Sequence, residues 1–389
     1  MDKKIKILMI AMQHHANDDR IFYKEALSLK KNGHTISYLL LTDNKGYIKD
    51  MNGNILNERK ESSIFLDGIK IIGIKPPTDL TSLLNKVFLG KFQQDIISSI
   101  LEENADIYHA HEPISLRIAI KAAKISNKKV VFDSHESWLG GTFKEQLIKK
   151  KYLKKIKYLI TVNPGILQNL SRRANLICTE VIYNCALPAL FPFNNNPQKI
   201  NTPVVLVHEG ALTFNRGLKN MLSALLLLRE QFANIQLKII GGSPKKEMDY
   251  ISKFILDNSL QSNIIQTGWV PYEDVSNHIK NCDIGLILYS PTKNNLFSTS
   301  NKLFNYIASG LAIVSVDLPE TKKILNPLNN SIIVENNKSI KIAEAIGTLI
   351  RDPKLLLEKK IASQNAYQKY NWSVEEKKLL NFYNTVIND

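Results

Sequence analysis

Short apolar runs alternate with amphipathic helical patterns along almost the whole chain. Lys4–Ala11 is apolar enough for a buried strand. Arg20–Asn32 follows with Ile21, Phe22, Ala26, Leu27 and Leu29 on one helical face, and Gly33 as its stop. Thr35–Leu41 predicts the next strand, and Ser63–Asp67 and Ile69–Ile74 predict strand segments around Gly68. Asp79–Asn104 reads mostly as helix. Strands at Ile107–Ala110, Lys129–Asp133 and Tyr158–Thr161 are separated by helical patterns at Ile114–Ser126 and Phe143–Lys155. This alternation predicts a mainly parallel sheet covered on both faces.

Leu187–Pro203 breaks the pattern with Pro188, Pro192, Pro197, Pro203 and a run of Asn, and it reads as a linker. The alternation then restarts. Strands are predicted at Val204–His208, Ile235–Ile240, Asn263–Gln266, Ile284–Tyr289 and Ala312–Val316. Helices are predicted at Leu218–Phe232, Tyr272–Ile279 and Asn301–Ala308, and over most of Lys338–Ile387. The expected fold class is α/β: two doubly wound, Rossmann-like domains, residues 1–188 and 203–371, facing across a cleft. Ligands of such sheets bind beyond the carboxyl ends of the strands, so the cleft is the expected site.

Composition narrows the class. The chain has 389 residues, 44% hydrophobic and 22% charged, which excludes a disordered or collagen-like chain. Its three cysteines, Cys178, Cys185 and Cys282, have no zinc spacing and predict neither a disulfide framework nor a metal site. No apolar run reaches the ~18–20 residues that span a bilayer. Lys3, Lys4 and Lys6 precede apolar Ile7–Met12, but that run is too short for a signal peptide, and a cytoplasmic protein is expected.

The net charge is +15, and it is uneven. Lys149, Lys150, Lys151, Lys154, Lys155, Lys157, Arg172 and Arg173 fall in 149–173 with no acid among them. A solvated helix face is the plain reading. The functional one is attraction to an anionic membrane surface or a lipid-linked acceptor. No nucleic-acid-binding motif accompanies the charge, so nucleic acid is not an expected partner.

Three segments at strand ends carry candidate chemistry. His208-Glu209-Gly210-Ala211-Leu212-Thr213-Phe214-Asn215-Arg216-Gly217-Leu218 runs from a strand into a helix, and offers amides and one guanidinium to a diphosphate. Gly241-Gly242-Ser243-Pro244 ends the next strand, and Gly268-Trp269-Val270-Pro271-Tyr272-Glu273-Asp274 opens another helix. Ser298-Thr299-Ser300-Asn301-Lys302-Leu303-Phe304-Asn305 places Ser300 or Asn301 as helix cap, with amides near 301–303 for phosphate oxygens. Each segment alone also reads as ordinary capping or a solvated loop.

Together, in this order, they resemble the C-terminal domain of glycosyltransferase family 4, of the GT-B fold. Asp18–Leu29, Tyr108-His109-Ala110-His111-Glu112 and Val131-Phe132-Asp133-Ser134-His135-Glu136 resemble members that build bacterial surface polysaccharides. Asn371-Trp372-Ser373-Val374-Glu375 fits the family's last helix, so that 372–389 is expected to cross back to the first domain.

The resemblance implies transfer of a sugar from a nucleotide sugar, with UDP or GDP, to a glycan or lipid-linked acceptor, with retention and without cofactor. It implies that Arg216 and Lys302 neutralise the diphosphate and that His135 hydrogen-bonds the transferred sugar. Gly210, Gly217, Gly241, Gly268, Val270, Ser300, Asn301, Leu303 and Asn305 would bind the donor. His14, Asp18 and Arg20, in a polar loop replacing the usual Gly-rich one, and His111, Asp133 and Glu136 are acceptor-side candidates. Two departures stand out. The Glu pair spaced by eight residues that the family often carries is here Phe297 and Asn305, and a frequent second cation after the loop glycine is Ala211. No Asp-x-Asp occurs, so no metal is expected on the diphosphate. Alternatives are a UDP-sugar 2-epimerase-like enzyme of the same architecture, or a non-catalytic nucleotide-binding relative.

Overall fold

The computed structural model describes residues 4–77, 90–135, 150–193 and 199–389. Expectations for 78–89, for 136–149 with Glu136 and Lys149, and for 194–198 lie outside the described residues.

The chain forms two compact units, Met1–Tyr183 with Glu375–Asp389, and Asn184–Val374. The first is built on eight strands: β1 Lys6–Ile10, β2 Thr35–Leu41, β3 Ser63–Leu66, β4 Ile69–Ile74, β5 Ile107–Ala110, β6 Lys129–Ser134, β7 Tyr158–Thr161 and β8 Cys178–Val181. Their order is β3-β4-β2-β1-β5-β6-β7-β8. All pairs are parallel except β3 with β4. That exception is a tight hairpin whose two turn residues, Asp67 and Gly68, both have positive φ, as an Asp-Gly turn requires. β5 and β7 are buried at every position, and β1 at all but its first, because helices cover both faces.

The second unit carries six parallel strands: β9 Val205–Glu209, β10 Gln236–Ile240, β11 Ile264–Gly268, β12 Ile284–Ile287, β13 Ala312–Val316 and β14 Ser331–Val334. Their order is β11-β10-β9-β12-β13-β14. Each sheet has one place where the winding reverses, between β1 and β5 in the first and between β9 and β12 in the second. Loops diverge there, and a crevice opens at the carboxyl ends of the strands.

Two strands, β8 and β14, escape the sequence reading. Both are four-residue edge strands, and neither is buried along its length. The helix expected over Arg20–Asn32 also starts differently. Over Ile21–Ala26 the N–H groups of Tyr23 and Glu25 reach back five residues, to Asp18 and Arg20 at 3.3 and 2.9 Å, before α-helix resumes over Leu27–Lys31. Such wide turns often lie at functional sites. Here it brings Glu25 against Arg20.

Candidate active site

In the second unit the motif residues gather at the carboxyl ends of β9, β10 and β12. The loop after β9 closes as a single turn over Phe214–Arg216, and Gly217 then opens the helix Leu218–Arg229. Gly217 has φ 87°, and a Cβ there would stand 2.1 Å from the Leu288 carbonyl oxygen. The turn therefore requires glycine, and it fixes where Arg216 can point.

Arg216 donates from Nη1 to the Ala211 carbonyl at 2.9 Å, and its guanidinium lies 5.7 Å from the ring centre of Tyr289. Lys302, on the helix Asn301–Ala308, lies 4.9 Å from the same ring. Two cations 86 positions apart in sequence thus lie against one aromatic ring, which attracts both. Among the described residues neither is in an ion pair. Burial would raise the Tyr289 phenol, but Lys302 and Arg216 outweigh it and bring it below its usual value. His208 Nε2 lies 3.4 Å from Lys302 Nζ. Burial first, then the two cations, push this imidazole well below its usual range, so it is neutral and leaves the positive charge uncancelled.

Two capping expectations are corrected. Ser300 is the residue preceding the helix, but its hydroxyl pairs with the Tyr289 hydroxyl at 3.1 Å rather than with a helix amide. The Leu303 N–H is spent on the Ser300 carbonyl at 3.0 Å, and its side chain is in the core. It is not open to a phosphate; Asn301 is exposed at the helix start.

Gly210, Gly241 and Val270 line a pocket of about 450 Å³ with Glu209, Gly242 and Trp269. Its floor is laced by backbone bonds from Gly210 N–H to the Ile240 carbonyl, 2.7 Å, and from Gly241 N–H to the Gly268 carbonyl, 2.8 Å. Gly268 thus supports the pocket from its edge. Asn305 is not at the pocket surface: it is only 4% exposed and donates from Nδ2 to Glu209 Oε1 at 2.8 Å.

In the first unit the polar cluster sits at the ends of β1, β5 and β6. Arg20, read from the sequence as an acceptor-side candidate, is only 3% exposed. Its guanidinium pairs with Asp133 at 2.8 Å and Glu25 at 2.9 Å and donates to the Ile182 carbonyl at 3.0 Å. Burial would raise the Asp133 carboxyl, but the adjacent Arg20 holds it well below the carboxylate range. Glu25 goes the other way: burial first, then the neighbouring Asp133 charge, pushes its carboxyl well above the usual carboxylate range. Burial also keeps His109 and His111 neutral, His109 lowered to about 3.

Arg20, His111 and Asp133 therefore lie beneath the site rather than on it. Glu25, His109, His111 and Asp133 could by spacing hold a metal ion. The Arg20 guanidinium already occupies the carboxylates, and its charge opposes a second cation. Above them, His135 takes its orientation from Asp133 (Nε2 to Oδ2, 3.1 Å), with His111 at 3.4 Å. His14 bonds Asp18 through Nδ1 at 2.9 Å and lies 3.4 Å from Glu112 through Nε2. Glu112 accepts from the amides of Met12 and Gln13, 3.3 and 2.9 Å, and so ties the ends of β1 and β5 together. Of the described acceptor-side candidates His14 and Asp18 retain surface, as does His135, the candidate for the transferred sugar.

Sequence reasoning gave no role to Tyr289, Glu25, Glu112 or Glu209. The visible signal was a His-Glu pair at the carboxyl end of an apolar strand, at His111-Glu112 and His208-Glu209.

Residues 203–352 match the family described as Glycosyl transferases group 1. No curated protein sequence matches the chain. Among solved structures, HepE of Anabaena in complex with UDP is 14% identical, with a TM-score of 0.74 over 98% of this chain and all of that one. Sucrose-phosphate synthase from Thermosynechococcus elongatus is 14% identical, TM-score 0.76, over 99% and 100%. A glycosyltransferase from Rickettsia africae is 15% identical, TM-score 0.72, over 100% of both. The fold is GT-B. The chain carries a glycosyl transferases group 1 domain and is a glycosyltransferase.

Proposed function

We propose that the protein moves a sugar from UDP- or GDP-sugar to an acceptor hydroxyl, with retention and without a metal, in the assembly of a cell-surface polysaccharide or glycolipid of the family 4 type. The observation that carries the donor half is the convergence of Arg216 and Lys302 on Tyr289, with no ion pair to either among the described residues. When the glycosidic bond breaks, negative charge grows on the departing diphosphate. Fixed cations at that position stabilise the transition state more than the ground state. HepE of Anabaena, whose fold the chain shares, was determined with UDP, which supports a nucleotide diphosphate as the ligand.

His135 is assigned to the sugar and acceptor side. Asp133 holds it through Nε2, and Arg20 holds Asp133. The exposed cations Lys150, Lys151, Lys154, Lys155, Lys157 and Arg172 are assigned to an anionic membrane surface.

The test is a panel of nucleotide sugars assayed for binding and for slow hydrolysis, followed by transfer to glycan and lipid-linked acceptors. Arg216→Ala should lower turnover about 10²-fold, the size expected for one lost charge-stabilising donor. Unchanged turnover would remove Arg216 from the diphosphate site. Conversion of the donor to its epimer without any acceptor would replace transfer by the epimerase reading.

A further inference from the structure

The donor reading leaves the nucleoside's ribose without an obvious partner, since Asn305 stands where a carboxylate is expected and is buried. We propose that Glu209 is the side chain that receives a ribose hydroxyl, and that Asn305 is a positioning residue that aims it. The inference rests on the donor reading above.

Glu209 is the last residue of β9, at the place where the winding of the second sheet reverses. It lines the 450 Å³ pocket beside Gly210, Gly241 and Trp269, whereas Asn305 does not reach the lining. An ionised carboxylate only accepts hydrogen bonds; Oε2 of Glu209 is buried, and Oε1, which takes the Asn305 amide, has a further lone pair for a ribose O–H.

The surrounding contacts hold Glu209 in one place. The Asn305 amide donates to Oε1 at 2.8 Å. The next residue of the same helix, Tyr306, accepts from the Glu209 N–H at 3.0 Å and donates to the Val207 carbonyl at 3.2 Å. Main chain and side chain of Glu209 are thus both fixed by one turn of the helix Asn301–Ala308. An amide at 305 can orient this carboxylate by donating to it, whereas a glutamate there would repel it. The departure at 305 and the acid at 209 therefore belong together: the carboxylate is carried by a strand instead of a helix.

The test compares affinities for the nucleoside diphosphate that binds, UDP or GDP, and for its 2′-deoxy form, by calorimetry. The unaltered protein should prefer the ribose form by roughly tenfold or more, as expected for a charged hydrogen bond. Glu209→Gln keeps size and the bond from Asn305 but removes the charge. It should weaken ribose binding until the two forms differ by no more than about threefold, with 2′-deoxy affinity nearly unchanged. Asn305→Ala should lose part of the same preference, and the double variant should lose no more than Glu209→Gln alone. An intact ribose preference in Glu209→Gln, or equal weakening of both forms, would overturn the assignment. If neither UDP nor GDP binds the unaltered protein, the donor reading falls, and this inference with it.

Discussion

His14 remains charged in neutral solution, although burial opposes it. The hydrogen bond and charge of Asp18, with Glu112 beyond, raise its pKa from 6.5 to about 9, and Asp18 falls to about 2. A histidine raised in the folded state contributes stability fully below its unfolded pKa, and that contribution is lost as pH rises through the folded value. Urea unfolding followed from pH 6.5 to 9.5 should therefore show a falling midpoint, and His14→Gln should flatten that fall. Identical slopes in the two proteins would show that His14 does not titrate in this window. Single residues were unevenly legible in the sequence. Arg216 could be picked out because it lies in a strand-to-helix loop with its own local signal, and Lys302 because it sits in the first turn of a helix with a clear start signal and matches the family pattern. Arg20 could not, because its partner Asp133 is 113 positions away and nothing local distinguishes a buried ion pair from a solvated cation.

Elements show the same division. Strands buried on both faces announce themselves as apolar runs, and the central ones were all legible. β8 and β14 were not, since a short edge strand has neither a continuous run nor a clean alternation. The helix Trp372–Asn388 was legible as a helix, and the resemblance placed it on the first domain, but the residues it meets there were not legible. From Glu375 onward it belongs to the first unit. Glu375 accepts from the Tyr183 N–H at 2.9 Å, and Tyr383 pairs with His109 at 2.9 Å. Leu379, Phe382, Tyr383 and Val386 are buried. At about 1.5–3 kcal/mol for each such side chain, their removal approaches the ~5–15 kcal/mol stability of a whole domain. A chain ending at Val374 should lose cooperative unfolding of the first unit by calorimetry while nucleotide binding persists. A normal transition would show the helix to be dispensable.

For the whole molecule, the basic segment acquires a direction that its charge alone did not have. Lys154, Lys155 and Lys157 precede β7, and Arg172 and Arg173 precede β8, so they lie toward the amino-terminal edge of a parallel sheet whose carboxyl edge carries His135. The cations are thus separated from the acceptor-side residues within the same unit, which favours general docking over direct acceptor binding. Sedimentation with anionic vesicles should fall as salt rises and should drop further in Lys154→Glu/Lys155→Glu, at about 1 kcal/mol per cation near the surface. Equal sedimentation with neutral vesicles would remove the membrane from the proposal. The sequence by itself determined the α/β alternation and the loops that could hold a diphosphate, because periodicity and turn chemistry are local. Tertiary structure alone decided which charges are buried as pairs, as Arg20 with Asp133, and which stand in no ion pair among the described residues, as Arg216 and Lys302 beside Tyr289. It also decided that the acid at 209 meets the amide at 305. Those outcomes depend on residues far apart in the chain, brought together only when the sheets form.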